Sequence, residues 1–160
     1  MIERSKMGMY KHIAETWQRL WKDNPPELRE KAIVWRREPT ILRIEKPSRL
    51  DKARMLGYKA KQGFIVVRIK VGRGGMRKQR PRSGRRPKHI GVVKIKQDIS
   101  MQKVAERRVA EKYPNLDVLG SYYLYEDGRN YWYEVLLVDK NHPAVYKDKE
   151  MRHKLGLINA

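Results

Sequence analysis

Between Gly72 and Pro87 this chain has almost nothing to bury. Those sixteen residues hold four glycines, two prolines and seven basic groups, with no acidic residue. Such a stretch cannot close a hydrophobic core, so whatever folds must fold on either side of it. Extended by one residue, the run carries Arg73, Arg77, Lys78, Arg80, Arg82, Arg85, Arg86 and Lys88, six of the eight being arginine. Solubility alone favours lysine and acidic residues, whereas the planar arginine fork matches phosphate and stacks on bases. The run also joins two expected strands, which would anchor both of its ends. Residues 72–88 are therefore read as a projecting loop that orders only against a polyanion.

The charge of the whole chain points the same way. Over 160 residues, 38 Lys+Arg face 18 Asp+Glu, a net charge of +20. Residues 1–30 carry six basic and five acidic groups, and residues 101–160 carry ten and nine. Residues 31–100 hold twenty-two basic groups against four acidic, +18 of the +20. A compact body at this charge repels itself, and charge gathered in one region reads as a binding face. With no cysteine, disulfides and thiolate metal sites are excluded. No stretch has the apolar length of a membrane span, and MIERSKMGMYKHI lacks the apolar core of a signal peptide, so the expected location is the cytoplasm.

One domain is expected over 1–160. It divides into an N-terminal helical region (1–47), an α+β core (48–140) carrying loop 72–88, and a C-terminal extension (141–160). Tyr10, Ile13, Ala14, Trp17 and Trp21 recur at helical spacing until Asn24-Pro25-Pro26, which predicts a helix over about 8–22. A second helix starts on Pro26, with Leu28, Ala32 and Trp35 on one side, and ends before Pro39. Ile41–Ile44 reads as a short extended piece and residues 50–56 as a helical turn closed by Gly57. Phe64–Val71 and Ile90–Lys96 read as strands. Met101, Val104, Ala105, Val109 and Tyr113 form a helical stripe ended by Pro114. Val118–Tyr125 and Tyr131–Val138 are strands joined through Asp127-Gly128, which predicts a tight turn with positive φ at Gly128. The expected architecture is a small antiparallel sheet with helices packed on it, plus the basic loop and N-terminal helical extensions.

No catalytic constellation assembles. Glu126-Asp127 sits in an expected turn with no histidine nearby. His12, His89, His142 and His153 have no metal-ligand spacing. Gly72-Arg73-Gly74-Gly75 lacks the Gly-Lys-Ser/Thr ending of a phosphate loop. Neither an enzyme nor a bound metal or cofactor is expected, nor a small-molecule substrate. A second basic patch does stand out: Arg49, Lys52, Arg54, Lys59 and Lys61, opposed only by Asp51. Within it Gly57 and Gly63 allow close backbone approach to a partner, and Tyr58 offers either a stacking face or a core residue. The tryptophans, at helix or strand spacing, read as packing residues. DNA readers usually display their cations along one groove-fitting helix. Here the cations lie on loops and glycine-punctuated pieces, which suits the irregular surface of a folded RNA. The mixed charge of the first helix argues against a membrane surface.

The block SRLDKARMLGYKAKQGFIVVRIKVGRGG (48–75) resembles the fifteen-e family of large-subunit ribosomal proteins, found in archaea and eukaryotes. The likeness continues in order through RKQR and GRRPK (77–88), MQKVAERR (101–108), NLDVLGSYYLYEDG (115–128), WYEVLLVD (132–139) and HPAV (142–145). MGMYKHIAETW (7–17) is similar to the family's start. The resemblance implies a structural component of the large subunit, bound to its rRNA beside neighbouring large-subunit proteins, with an α+β domain and basic segments that run into the RNA. Two departures accompany it. Met1–Lys6 precede the family's usual start, making Met7 an alternative initiator. After HPAV the family continues into a long Gly/Arg/Lys-rich tail, where this chain ends MRHKLGLINA. The alternative from composition alone is a free-standing RNA-binding or RNA-chaperone protein.

Overall fold

A computed structural model describes residues 2–75 and 98–156. The expected strand at 90–96 and most of the basic loop lie outside them. Among the described residues are six helices and four strands: α1 (Ile2–Asp23), α2 (Pro26–Arg37), β1 (Ile41–Ile44), α3 (Leu50–Met55), β2 (Phe64–Gly72), α4 (Met101–Lys112), β3 (Asp117–Glu126), β4 (Asn130–Val138), α5 (Pro143–Tyr146) and α6 (Lys149–Lys154).

Local chemistry sets the boundaries. Asn24 takes the left-handed conformation that ends a helix (φ 42), and its N–H donates to Leu20 O at 3.0 Å. Pro25 and Pro26 then prevent continuation, while Pro26 suits the first turn of α2, where its missing N–H would have had no partner. Ser100 caps α4, its hydroxyl accepting from Lys103 N–H at 3.2 Å. The first helix begins at Ile2, earlier than the apolar stripe predicts, because no proline in 2–7 stops it.

The strands form one antiparallel sheet in the order β1-β2-β4-β3. The central pair, β2 and β4, runs in register from Phe64↔Val138 to Gly72↔Asn130. Both faces of this pair are covered, which explains the unbroken apolar run at the end of β4. On one face Val67, Ile69 and Val71 of β2, with Val135 and Leu137 of β4, meet Ala105 and Val109 of α4. The other face meets the N-terminal helices. Leu28, Ala32 and Trp35 of α2 pack on Leu124 and Trp132, and Ala53 with Tyr58 packs on Val66 and Leu136. The helical region before the core thus supplies one of its layers.

The hairpin between β3 and β4 departs from expectation. Gly128 has no positive φ, and a Cβ placed there would meet nothing within 4 Å. Asp127 closes the turn instead, its Oδ1 accepting from the N–H groups of Arg129 (2.7 Å) and Asn130 (2.6 Å). Its Oδ2 also meets Arg36 Nε at 3.0 Å. Gly128→Ala is therefore expected to move stability by no more than about 0.5 kcal/mol. Asp127→Ala should cost about 1–2 kcal/mol through the lost turn acceptors. Urea unfolding midpoints of the two variants check this.

Candidate nucleic-acid interface

The basic loop leaves the sheet where β2 ends, beside the β3–β4 hairpin. Arg73 holds that exit: its N–H donates to Arg129 O at 2.7 Å, and its guanidinium donates to Asp127 O at 2.9 Å. The same guanidinium meets Glu126 Oε1 at 3.4 Å and lies over the Tyr131 ring at 5.1 Å. Gly74 follows with φ 100, a conformation that glycine adopts without steric penalty. Gly72–Gly75, Ile99 and Met101 border one recess, together with Val104 and the exposed Arg108. The described residues on either side of 76–97 thus meet at one place on the surface. Arg77, Lys78, Arg80, Arg82, Arg85, Arg86 and Lys88 lie outside the described residues.

Of the upstream patch, Lys59 and Lys61 precede the other end of β2, whereas Arg49 meets β3 at Tyr123, abreast of Ile69. Strand β2 is nine residues long, so at about 3.3 Å per residue its two ends stand roughly 26 Å apart. Lys59 and Lys61 are therefore separate in space from the start of the loop, and the members of the upstream patch differ in setting. Lys52 is half-buried and Arg54 exposed on α3, with Arg54 Nη1 reaching Tyr58 O at 3.4 Å. Arg49 is only 5% exposed. Its guanidinium pairs with Asp51 at 3.0 Å, reaches Tyr123 O at 3.4 Å, and lies 4.6 Å from the Trp21 ring and 5.7 Å from that of Trp17. It ties α1 and α3 to β3 and presents no free face to a ligand. Tyr58 is likewise buried, edge-on to Phe64 at 6.0 Å between ring centres. It is a core residue.

Lys59 and Lys61 point at the chain's own C-terminal helices. Lys59 Nζ meets Asp148 Oδ2 at 2.8 Å and Glu150 Oε2 at 2.6 Å, and Lys61 Nζ meets Asp148 Oδ2 at 2.6 Å. Hydrogen bonds from Lys59 and then Lys61 hold the Asp148 carboxyl far below the ordinary 3.8. The Lys59 ammonium is raised above 10.5 by its bonds to Asp148 and Glu150. The two glycines that allow close approach face the same helices. A Cβ on Gly63 (φ 88) would stand 2.6 Å from Val145 Cγ2, and one on Gly57 (φ 97) would stand 2.6 Å from Lys154 Nζ. Lys154 also donates to Leu56 O. The tight approach legible in the sequence is thus made, within this chain, to residues 143–154.

Sequence reasoning passed over the buried carboxylate beneath this patch. Glu134 is fully buried in β4 and accepts from Ser48 N–H at 2.9 Å, Ser48 Oγ at 2.5 Å and the Tyr122 hydroxyl at 2.6 Å. Burial, followed by the adjacent Glu134 charge, drives the Tyr122 phenol well above its ordinary 10.0, so it remains a donor. The signal was present in WYEVLLV, where one acidic residue interrupts a strand otherwise apolar or aromatic on both faces. Together Glu134 and Tyr122 pin the start of the basic segment to the sheet.

No helix among the described residues is long and apolar enough to cross a membrane. In comparison with protein families the chain matches the model described as Ribosomal L15 over residues 8–154. That span runs from α1 through the last turn of α6 and takes in the loop, the patch and the helices that cover it. The chain belongs to the L15e family of large-subunit ribosomal proteins, a class of structural constituents of the ribosome.

Proposed function

We propose that this protein binds the large-subunit rRNA through its basic loop and stabilises the folded RNA, beside neighbouring large-subunit proteins in the cytoplasmic ribosome. The observation that carries the reading is the concentration of charge: residues 31–100 hold +18 of the net +20, on a chain whose family is ribosomal. Counterion release from phosphates is the driving term such a surface uses. Arg73, set at the loop's root, holds its exit against the hairpin. Lys52 and Arg54 extend the basic surface on α3, at the far end of β2. An extended RNA contacted at both ends of that strand would be held across the width of the domain. The role is structural, without catalysis, a cofactor or a small-molecule substrate.

Sedimentation separates this reading from a free-standing RNA-binding or chaperone protein. The tagged protein is expected to travel with large subunits and to stay with them through a high-salt wash. Release into the light fractions at moderate salt, with binding to any RNA offered, would support the free-standing reading.

A further inference from the structure

The pairing of Lys59 and Lys61 with residues near the chain's end has a consequence for RNA binding. These lysines belong to the basic segment, yet Asp148 and Glu150 occupy both ammonium groups at 2.6–2.8 Å. The seat beneath them is built for this segment. Val145 and Met151 are buried against Val138, and Gly63 has no side chain where Val145 enters. Asp148 does double duty, because its Oδ1 also accepts from Met151 N–H at the start of α6, at 3.4 Å. A carboxylate held between two lysine ammonium groups occupies the position a phosphate oxygen would take. We infer that residues 143–154 form an intramolecular acidic strap which withholds Lys59 and Lys61 from RNA, so that phosphate must displace Asp148 and Glu150 to reach them. The inference rests on the rRNA-binding reading and specifies how part of that surface is controlled. The apolar seat holds the strap's backbone in place while the carboxylates exchange. What changes on binding is side-chain pairing at the surface, and the fold is retained.

The test is the double variant Asp148→Asn with Glu150→Gln in the full chain. Asparagine still caps a helix, and glutamine keeps the shape, so α6 and its apolar seat survive; circular dichroism and an unchanged m-value check this. The probe is in-vitro-transcribed large-subunit rRNA in a filter-binding assay across a salt series. With two lysines released, affinity at low salt is expected to rise about tenfold, and the log–log salt slope to steepen by about 1.4 units. Glu30→Gln together with Glu45→Gln removes as much negative charge at exposed positions away from the strap and serves as the control for net charge alone. Lys59→Ala with Lys61→Ala should barely alter binding by the parent, yet should abolish the gain in the strap variant. That non-additivity is the signature of a withheld site. If the strap variant binds as the parent does, or if the control gains as much, loop 57–63 is only a seat for the C-terminal helices and the inference falls alone. If the parent itself shows no preference for rRNA over a tRNA competitor, both this inference and the proposed function fall.

Discussion

Glu134→Ala is expected to destabilise the protein by about 3–5 kcal/mol, the range for breaking a buried charged network. The carboxylate is fully buried and accepts from both donors of Ser48 and from Tyr122. Its removal leaves the buried Tyr122 hydroxyl without its acceptor, at about 1–3 kcal/mol if it stays unsatisfied, while the exposed Ser48 loses the tie that holds it to the sheet. The side-chain volume lost opens a cavity as well. Glu134→Gln retains the shape but presents an amide N–H₂ where an acceptor oxygen stood. It should therefore fall between parent and alanine, at about 1–3 kcal/mol. Tyr122→Phe removes one donor and should cost about 1–2 kcal/mol. Combined with Glu134→Gln it should cost less than the sum, since the two side chains share a hydrogen bond. Urea unfolding of the four variants and the parent gives these numbers. A Glu134→Gln variant as stable as the parent would show that the carboxylate charge is not needed here. RNA affinity of the folded fraction should stay near that of the parent, because the substituted residues, Glu134 and Tyr122, are both buried.

This network also shows where reading from sequence stops. Periodicity and punctuation revealed most elements: the Asn24-Pro25-Pro26 stop, the strand at 64–71, the stripe ending at Pro114, and the two long strands. Each of these is dictated by residues close in sequence, through spacing, a missing N–H or a tolerated φ. Pairing across the fold is not local, and there the sequence was silent. Nothing around Lys59 announces Asp148, eighty-nine positions away. Nothing around Ser48 announces Glu134, eighty-six positions away. Composition therefore grouped Arg49, Lys59 and Lys61 as one basic patch, while the fold buries the first and engages the other two with carboxylates. Gly128 shows the converse case. Asp-Gly is a sound turn signal, but the aspartate side chain, not a positive φ at the glycine, closes this turn. The loop at 72–88 drew its reading from composition alone, and the fold adds where it starts.

That loop should dominate affinity, and its arginines should act by charge and geometry together. If backbone neutralisation drives binding, affinity for large-subunit rRNA falls steeply with salt, with a log–log slope of about −0.7 to −0.9 per phosphate contacted. Replacing Arg80, Arg82, Arg85 and Arg86 together by alanine is then expected to flatten the slope by about three units, with an affinity deficit against the parent that is largest at low salt and narrows as salt rises. Replacing the same four by lysine keeps every charge but removes the planar fork that engages phosphate with two parallel hydrogen bonds. The lysine variant should therefore retain most of the salt slope, bind the folded rRNA more weakly than the parent, and bind unstructured RNA almost as the parent does. Each comparison isolates one term: alanine against lysine reports charge, and lysine against arginine on folded RNA reports geometry. Should lysine and alanine variants behave alike, charge is not the shared term and phosphate neutralisation is the wrong mechanism. Should lysine match arginine on the folded RNA, the arginine fork plays no part and the loop is a simple cationic tether. The buried network of Glu134 is made with Ser48 and Tyr122, not with these arginines. None of these substitutions should therefore change the unfolding midpoint, and equal midpoints across the set are the check that binding alone has been altered.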